Sequence, residues 1–253
     1  MIFIDLNADL GEGVGNDDAL LEVVSSASIA CGGHAGDVET IRRVLLQCKA
    51  RDICVGAHPG YADRARFGRV RLDVPRAELK AEISSQVALV RAIAHEVGVP
   101  LHYVKLHGAL ANQAAEDFDL AVDLLAVLHE ADPELAVLAL DRSRQVDAAR
   151  HLGMTLMREA YADRAYTAEG QLVARSEPGA VIHDEDVVIE RCLRLALVGE
   201  IVALDGTTFS STARSICLHG DTPGAADLAR AVRRALEAEG ITIAAGGRVA
   251  PDS

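Results

Sequence analysis

Tryptophan is absent from the 253-residue sequence, and aromatic residues make up only 3% of it. A platform for stacking nucleobases is therefore almost unavailable. The formal net charge of −13, from 25 Lys+Arg against 38 Asp+Glu, opposes both nucleic acid and anionic membrane as partners. No stretch approaches the roughly 18 apolar residues of a membrane span. The first residues, Met-Ile-Phe-Ile-Asp, reach an acid at Asp5 with no basic region and no apolar run, unlike an export signal. The five cysteines, at 31, 48, 54, 192 and 217, are odd in number and contain no C-x-x-C pair, so neither a disulfide framework nor a cysteine zinc site is expected. A protein of the reducing cytoplasm is the expectation. Several catalytic signatures are missing too: there is no P-loop, no Rossmann fingerprint and no G-x-S-x-G elbow.

What is present is an apolar content of 50%, too high for a disordered chain. A chain of this length buries roughly three quarters of its unfolded surface and needs no covalent staple. Short β-branched runs at 2–7, 28–31, 53–58, 101–107, 134–140, 154–159 and 215–219 read as strands. Helical patterns separate them. Leu79, Ile83, Val87, Val90, Ala94 and Val97 recur at i+3/i+4 after Pro75, and Asp37 is placed to cap a helix with Ile41, Val44, Leu45 and Cys48 on one side. Thr222-Pro223 reads as the start of a last helix with Leu228, Val232 and Leu236 inward. Seven βα units without a composition break predict one domain over 1–245, with a C-terminal tail at 246–253. A closed or nearly closed (β/α) barrel is the first expectation and a doubly wound sheet the second. Two connections, 59–74 and 160–183, exceed the usual 4–6 or so residues and read as binding loops. Segment 200–208 reads as a small strand or hairpin.

The polar residues gather at strand ends. Asp5, Asn7 and Asp9 alternate along the first strand. Cys31-Gly-Gly-His34, His58-Pro-Gly, Lys105-Leu-His107-Gly, Glu159 and His219-Gly-Asp221 follow on later ones. In parallel α/β folds those ends form one rim, where substrates bind. Taken singly, His34 or His58 reads as a hydrogen-bonded loop histidine, and Asp9, Glu12 and Asp221 as acids near helix starts. Cys31 reads as a small buried apolar residue. Lys105 is costly in an apolar strand unless its ammonium has a partner. Recurrence of His and acid at strand ends is what points to a site. Arg64, Arg66, Arg69 and Arg71 crowd the first long loop and Asp163-Arg164-Ala-Tyr166 the second, either as solvated loop residues or as guanidinium clamps for a carboxylate or phosphate.

Taken together, Asp5-Leu-Asn7-Ala-Asp9-Leu-Gly11-Glu12, Ile29-Ala-Cys31-Gly-Gly-His34-Ala-Gly36-Asp37, Val55-Gly-Ala-His58-Pro-Gly60-Tyr61, Val104-Lys105-Leu-His107-Gly-Ala-Leu, Ala162-Asp163-Arg164-Ala-Tyr166 and Ser215-Ile-Cys217-Leu-His219-Gly-Asp221 closely resemble the motifs of the lactam-utilisation family. The resemblance spans roughly residues 2–240. It implies a distorted seven-stranded (β/α) barrel similar to glycoside hydrolases and polysaccharide deacetylases. It also implies the A subunit of an ATP-dependent 5-oxoprolinase, working with two partner subunits on 5-oxoproline, with ATP (and Mg²⁺) as co-substrate. Ala8 stands where the family has Cys, Gly33 where it has Phe, Val38 and Leu106 where it has Pro, and Ala111 where it has Tyr. Gly33 and Ala111 are expected to widen the pocket.

On this reading Asp9, His58, Lys105 and His107 are the candidate catalytic groups. Lys105 would stabilise developing negative charge, and His58 or His107 with Asp9 would move protons. Asp5, Asn7, Glu12, His34, Arg64, Glu159, Arg164, His219 and Asp221 are candidate substrate contacts, and no metal ligand is assigned. With Lys105, Arg64 and Arg164 inward, the mouth should be neutral or positive despite the acidic whole. The alternatives are a metal-dependent deacetylase or amidase acting alone, for which H-x-x-x-H and H-E-x-x-H spacings are missing, and a non-catalytic ligand-binding subunit.

Overall fold

The apolar runs form parallel strands that close on themselves. In the computed structural model, which describes residues 2–220 and 224–246, the strands are β1 (Phe3–Leu10), β2 (Ser26–Ala30), β3 (Cys54–His58), β4 (Leu101–Val104), β5 (Ala136–Leu140), β6 (Leu156–Tyr161), β7 (Glu200–Val202), β8 (Thr208–Ser210), β9 (Ser215–Cys217) and β10 (Thr242–Ile243). Neighbours run in the order β1-β2-β3-β4-β5-β6-β9, and β9 pairs back onto β1 in the register Asp5–Ser215, Leu6–Ile216, Asn7–Cys217. That last pairing makes a seven-stranded parallel barrel and excludes the doubly wound alternative. β10 adds parallel pairing along the start of β1. The expected hairpin is the antiparallel pair β7–β8.

Helices α1 (Asp17–Leu21), α2 (Val38–Ala50), α3 (Arg76–Val97), α4 (Gly108–Glu116), α5 (Phe118–Ala131), α6 (Arg144–Leu152), α7 (Glu185–Val198) and α8 (Ala225–Ala238) lie in the connections. The Asp37 side chain caps α2 by accepting from the Thr40 amide at 2.8 Å, and Ile41, Val44, Leu45 and Cys48 are its buried face. α3 buries Leu79, Ile83, Val87, Val90 and Ala94 as the spacing predicts, adds Gln86 and Ile93, and leaves Val97 partly buried. Leu228 of α8 is likewise only partly buried, whereas Val232 and Leu236 are inward. Most of the core lies between the helices and the barrel wall. A smaller cluster of Cys54, Tyr103, Ala136, Leu138, Met157 and Ala245 packs separately, drawn from the starts of the strands. Thr222-Pro223, Asp221 and, apart from Gly246, the expected tail lie outside the described residues. Among those described, no helix is long and apolar enough to cross a membrane.

The fourth strand is shorter than its sequence run. Ladder pairing ends at Val104, but the chain stays alongside β3: the Lys105 amide donates to the Ala57 carbonyl (2.9 Å) and the His107 amide to Pro59 (2.8 Å). Both side chains are thereby held at the C-terminal end of the barrel.

Candidate functional site at the barrel mouth

Alternation along β1 stacks the site in layers. Lowest is Asp5, whose Oδ1 accepts from the hydroxyls of Ser25 and Ser26, each at 2.7 Å, and whose Oδ2 accepts from Ser215. Burial raises its pKa against the lowering effect of those hydroxyls. Above it, the Lys105 ammonium lies 2.9 Å from Glu159, 3.0 Å from Asp9, and 3.2 Å from both Asn7 Oδ1 and Cys217 Sγ. Burial opposes this charge, but Asp9, Cys217 and Glu159 outweigh it and hold the Lys105 pKa well above its ordinary value. The partner required for an ammonium in an apolar strand is thus a pair of carboxylates. Asn7 ties the layer together by donating to Ser215 Oγ at 2.8 Å and to Glu159 at 3.3 Å.

The uppermost layer holds three imidazoles. His58 Nδ1 is 2.8 Å from the Lys105 carbonyl oxygen and His107 Nε2 is 2.9 Å from that of Phe67. A carbonyl only accepts, so both of these nitrogens carry hydrogen. The other nitrogens, His58 Nε2 and His107 Nδ1, face each other at 3.0 Å, with Asp9 Oδ2 3.3 Å from His58 Nε2 and Glu12 Oε1 3.4 Å from His107 Nδ1. Burial disfavours charge on His58, but the Asp9 carboxylate more than offsets it and raises its pKa. Asp9, despite its own burial, is held well below the carboxylate range by His58 and Lys105. Burial and the neighbouring His58 and His34 push His107 well down. His34 stacks on His107 with ring centres 3.5 Å apart, bonds Glu12 at 3.1 Å, and is pushed down to about 3, chiefly by burial. One positive charge therefore resides on His58, flanked by neutral rings.

The loops complete the mouth. Phe67 adopts a left-handed backbone (φ 55°) at the end of a 3₁₀ turn, which turns its carbonyl onto His107. Gly68 follows with φ 60°, and a Cβ there would come within 2.9 Å of His34 Cβ. On the opposite side His219 Nδ1 pairs with Asp163 at 2.7 Å, and its ring stacks on Tyr161. Between these walls lies a pocket of about 380 Å³, lined among others by Asp9, Glu12, His58, His107, His219 and Tyr161, with Arg69, Arg164 and Arg175 from the long loops.

Of the candidate residues, Asp9, Glu12, His58, His107, Arg164 and His219 line this pocket. Lys105, Asn7 and Glu159 lie beneath it, Asp5 a layer lower, and His34 behind the His107 ring. Asp221 lies outside the described residues. Arg64 is a correction: the 3₁₀ turn at Arg64–Arg66 leaves it exposed, donating to the Gly36 carbonyl, and Arg69 faces the pocket instead. Arg164 is partly committed, since it donates to the carbonyls of Ala180 and Val173 and so braces its own loop. Gly33 is a second correction. Its expected extra room is filled by Gln86, whose amide would lie 2.5 Å from an added Cβ and which bonds Gly60 through both its oxygen and its nitrogen. Ala111 does line the pocket. Sequence reasoning missed Tyr161 and Cys217 as site residues, although period-two alternation from Glu159 and His219 places them on the inward face.

The LamB/YcsF family model matches residues 4–250. The chain belongs to the LamB/YcsF family. Relatives include proteins named as the A subunit of 5-oxoprolinase from Streptomyces coelicolor, 50% identical over 96% of this chain and 99% of that one, and from Paracidovorax citrulli, 46% identical over 95% and 98%. The crystal structure of a lactam utilization protein from Thermus thermophilus is similar with a TM-score of 0.90 and 37% identity, over 96% of this chain and all of that one. A GH113 β-1,4-mannanase shares the barrel alone, with a TM-score of 0.52 and 11% identity, over 94% and 99%. In this LamB/YcsF chain all six family motifs contribute residues to the mouth or to the layers just beneath it.

Proposed function

We propose that this chain is the A subunit of an ATP-dependent 5-oxoprolinase, acting with two partner subunits. The observation that carries this reading is half-identity along the full length to a protein of that name. The mouth supports it chemically. A five-membered lactam carrying a carboxylate is small enough for a 380 Å³ pocket, and Arg69, Arg164 and Arg175 supply positive charge for it in a protein of net charge −13.

The lactam is a resonance-stabilised amide that recloses after opening. Coupling ring opening to ATP drives it: 5-oxoproline, ATP and water give glutamate, ADP and phosphate. Transfer of the terminal phosphoryl group to the amide oxygen turns that oxygen into a leaving group. In this mechanism the His58–Asp9 pair holds a proton facing the pocket and delivers it to the ring nitrogen, while neutral His107 accepts one from water. Lys105 is a positioning residue, since it lies under Asp9 and fixes that carboxylate's place and charge. ATP enters as co-substrate with Mg²⁺. The sequence has no P-loop, so the partner subunits contribute to the nucleotide site.

Glutamate release tests the proposal. The purified chain with ATP and magnesium should be inactive, and adding the partner subunits should restore turnover. Full ATP-dependent activity without partners would refute the division of labour, and activity without ATP would favour a deacetylase or amidase acting alone. Unchanged turnover after substitution of His58 and His107 would favour a purely ligand-binding subunit.

A further inference from the structure

His58 and His107 each commit their one neutral-state N–H to a backbone carbonyl, Lys105 at 2.8 Å and Phe67 at 2.9 Å. Their remaining nitrogens then present lone pairs to each other across 3.0 Å. Two facing lone pairs repel, so a positive species belongs between them. A shared proton satisfies two atoms only. Here two more anionic donors converge: Glu12 Oε1 at 3.4 Å from His107 Nδ1, and Asp9 Oδ2 at 3.3 Å from His58 Nε2.

From this geometry we infer that the mouth is a binding site for a first-row divalent transition metal ion, held by His58 Nε2, His107 Nδ1 and Glu12. Ligands about 2.0–2.1 Å from a tetrahedral ion stand about 3.3 Å apart, and the observed separations of 3.0 and 3.4 Å straddle that value. Backbone carbonyls on the far nitrogens of both rings fix the tautomer and aim the free lone pairs, as outer partners of metal-binding histidines do. The imidazole–carboxylate set favours zinc, cobalt, nickel, iron or manganese over magnesium or calcium. His34 does not ligate. Its ring plane lies parallel to that of His107, at 2° with centres 3.5 Å apart, so one ion cannot lie in both planes. It instead bonds Glu12 at 3.1 Å and orients that carboxylate. Glu12, His58 and His107 all line the pocket, so an ion among them would be open to a ligand from the mouth.

The inference stands apart from the lactam reading and is tested without turnover. The full chain, purified without a polyhistidine tag, is stripped with a chelator and titrated with Zn²⁺ and Co²⁺. Metal analysis should give one ion per chain, and cobalt should give visible d–d bands that zinc abolishes. His58→Ala and His107→Ala should each weaken binding by more than about 100-fold. Glu12→Gln, nearly isosteric and so the variant for judging a folded protein, should also weaken binding and alter the cobalt spectrum. Arg64→Ala should bind like wild type. Sub-stoichiometric metal, no cobalt bands, or binding unaltered in Glu12→Gln and both histidine variants would overturn the inference in favour of a shared proton. Glutamate release by reconstituted, metal-stripped protein would leave the lactam reading standing if the metal fails. Stoichiometric metal without lactam turnover would do the reverse.

Discussion

Replacing Lys105 with methionine keeps the reach of the side chain and deletes its charge, and the layered site says what that should do. Lys105 is 2% exposed and sits 2.9 Å from Glu159 and 3.0 Å from Asp9. Methionine leaves both carboxylates buried without the ammonium. Removing one partner of a buried ion pair costs about 3–5 kcal/mol, a large part of a total stability of about 5–15 kcal/mol. For a chain of this size the melting temperature should fall by about 6–20 °C. Urea unfolding of wild type, Lys105→Met, Glu159→Gln and the double variant forms a cycle. The double variant should lose less than the sum of the singles, because neutralising Glu159 removes part of the stranded charge. The penalty should also shrink in acid. Asp9, held low in the folded protein, stabilises it above the unfolded carboxylate pKa and loses that contribution as pH falls, whereas the methionine variant has less of it to lose. A Lys105→Met protein within about 1 kcal/mol of wild type at neutral pH, or a strictly additive cycle, would refute the account of the site as a charge-balanced stack.

His34 is buried neutral, with its pKa pushed down to about 3. Its contribution to stability is therefore complete above the unfolded value of about 6.5 and is lost as pH falls toward 3, costing about 2 kcal/mol by about pH 5. Denaturant titrations against pH should show His34→Asn flattening that acid limb, and an unchanged slope would contradict the burial argument. Gly33→Ala should destabilise by about 1–3 kcal/mol, because the new Cβ, 2.5 Å from Gln86 Oε1, must break the Gln86 bonds to Gly60; thermal melts check this. In the complex reconstituted with partner subunits, His58→Ala or His107→Ala should lower kcat by about 10²–10⁴ while circular dichroism stays native. Arg64→Ala, on the exposed turn, should turn over like wild type.

Local pattern reached far into this fold. Strand runs, the α2 and α3 stripes and the Asp37 cap depend on near neighbours in the chain, so period and side-chain chemistry revealed them. Alternation along β1 put Asp5, Asn7 and Asp9 on one face, and that face is the inside of the barrel. Other features had no local cause. Closure rests on the β9–β1 register, between residues about 210 positions apart. Which arginine faces the pocket was settled by a 3₁₀ turn and the left-handed Phe67, which turn Arg64 outward while Arg69 reaches the mouth. The space beside Gly33 was settled by Gln86, 53 residues later, arriving on another helix. The division of the rim into depths was likewise tertiary. Sequence alone determined that ionisable groups end the strands. The folded barrel decided that Lys105 lies beneath Asp9 and that His34 lies behind His107, because depth depends on where each strand crosses its neighbours.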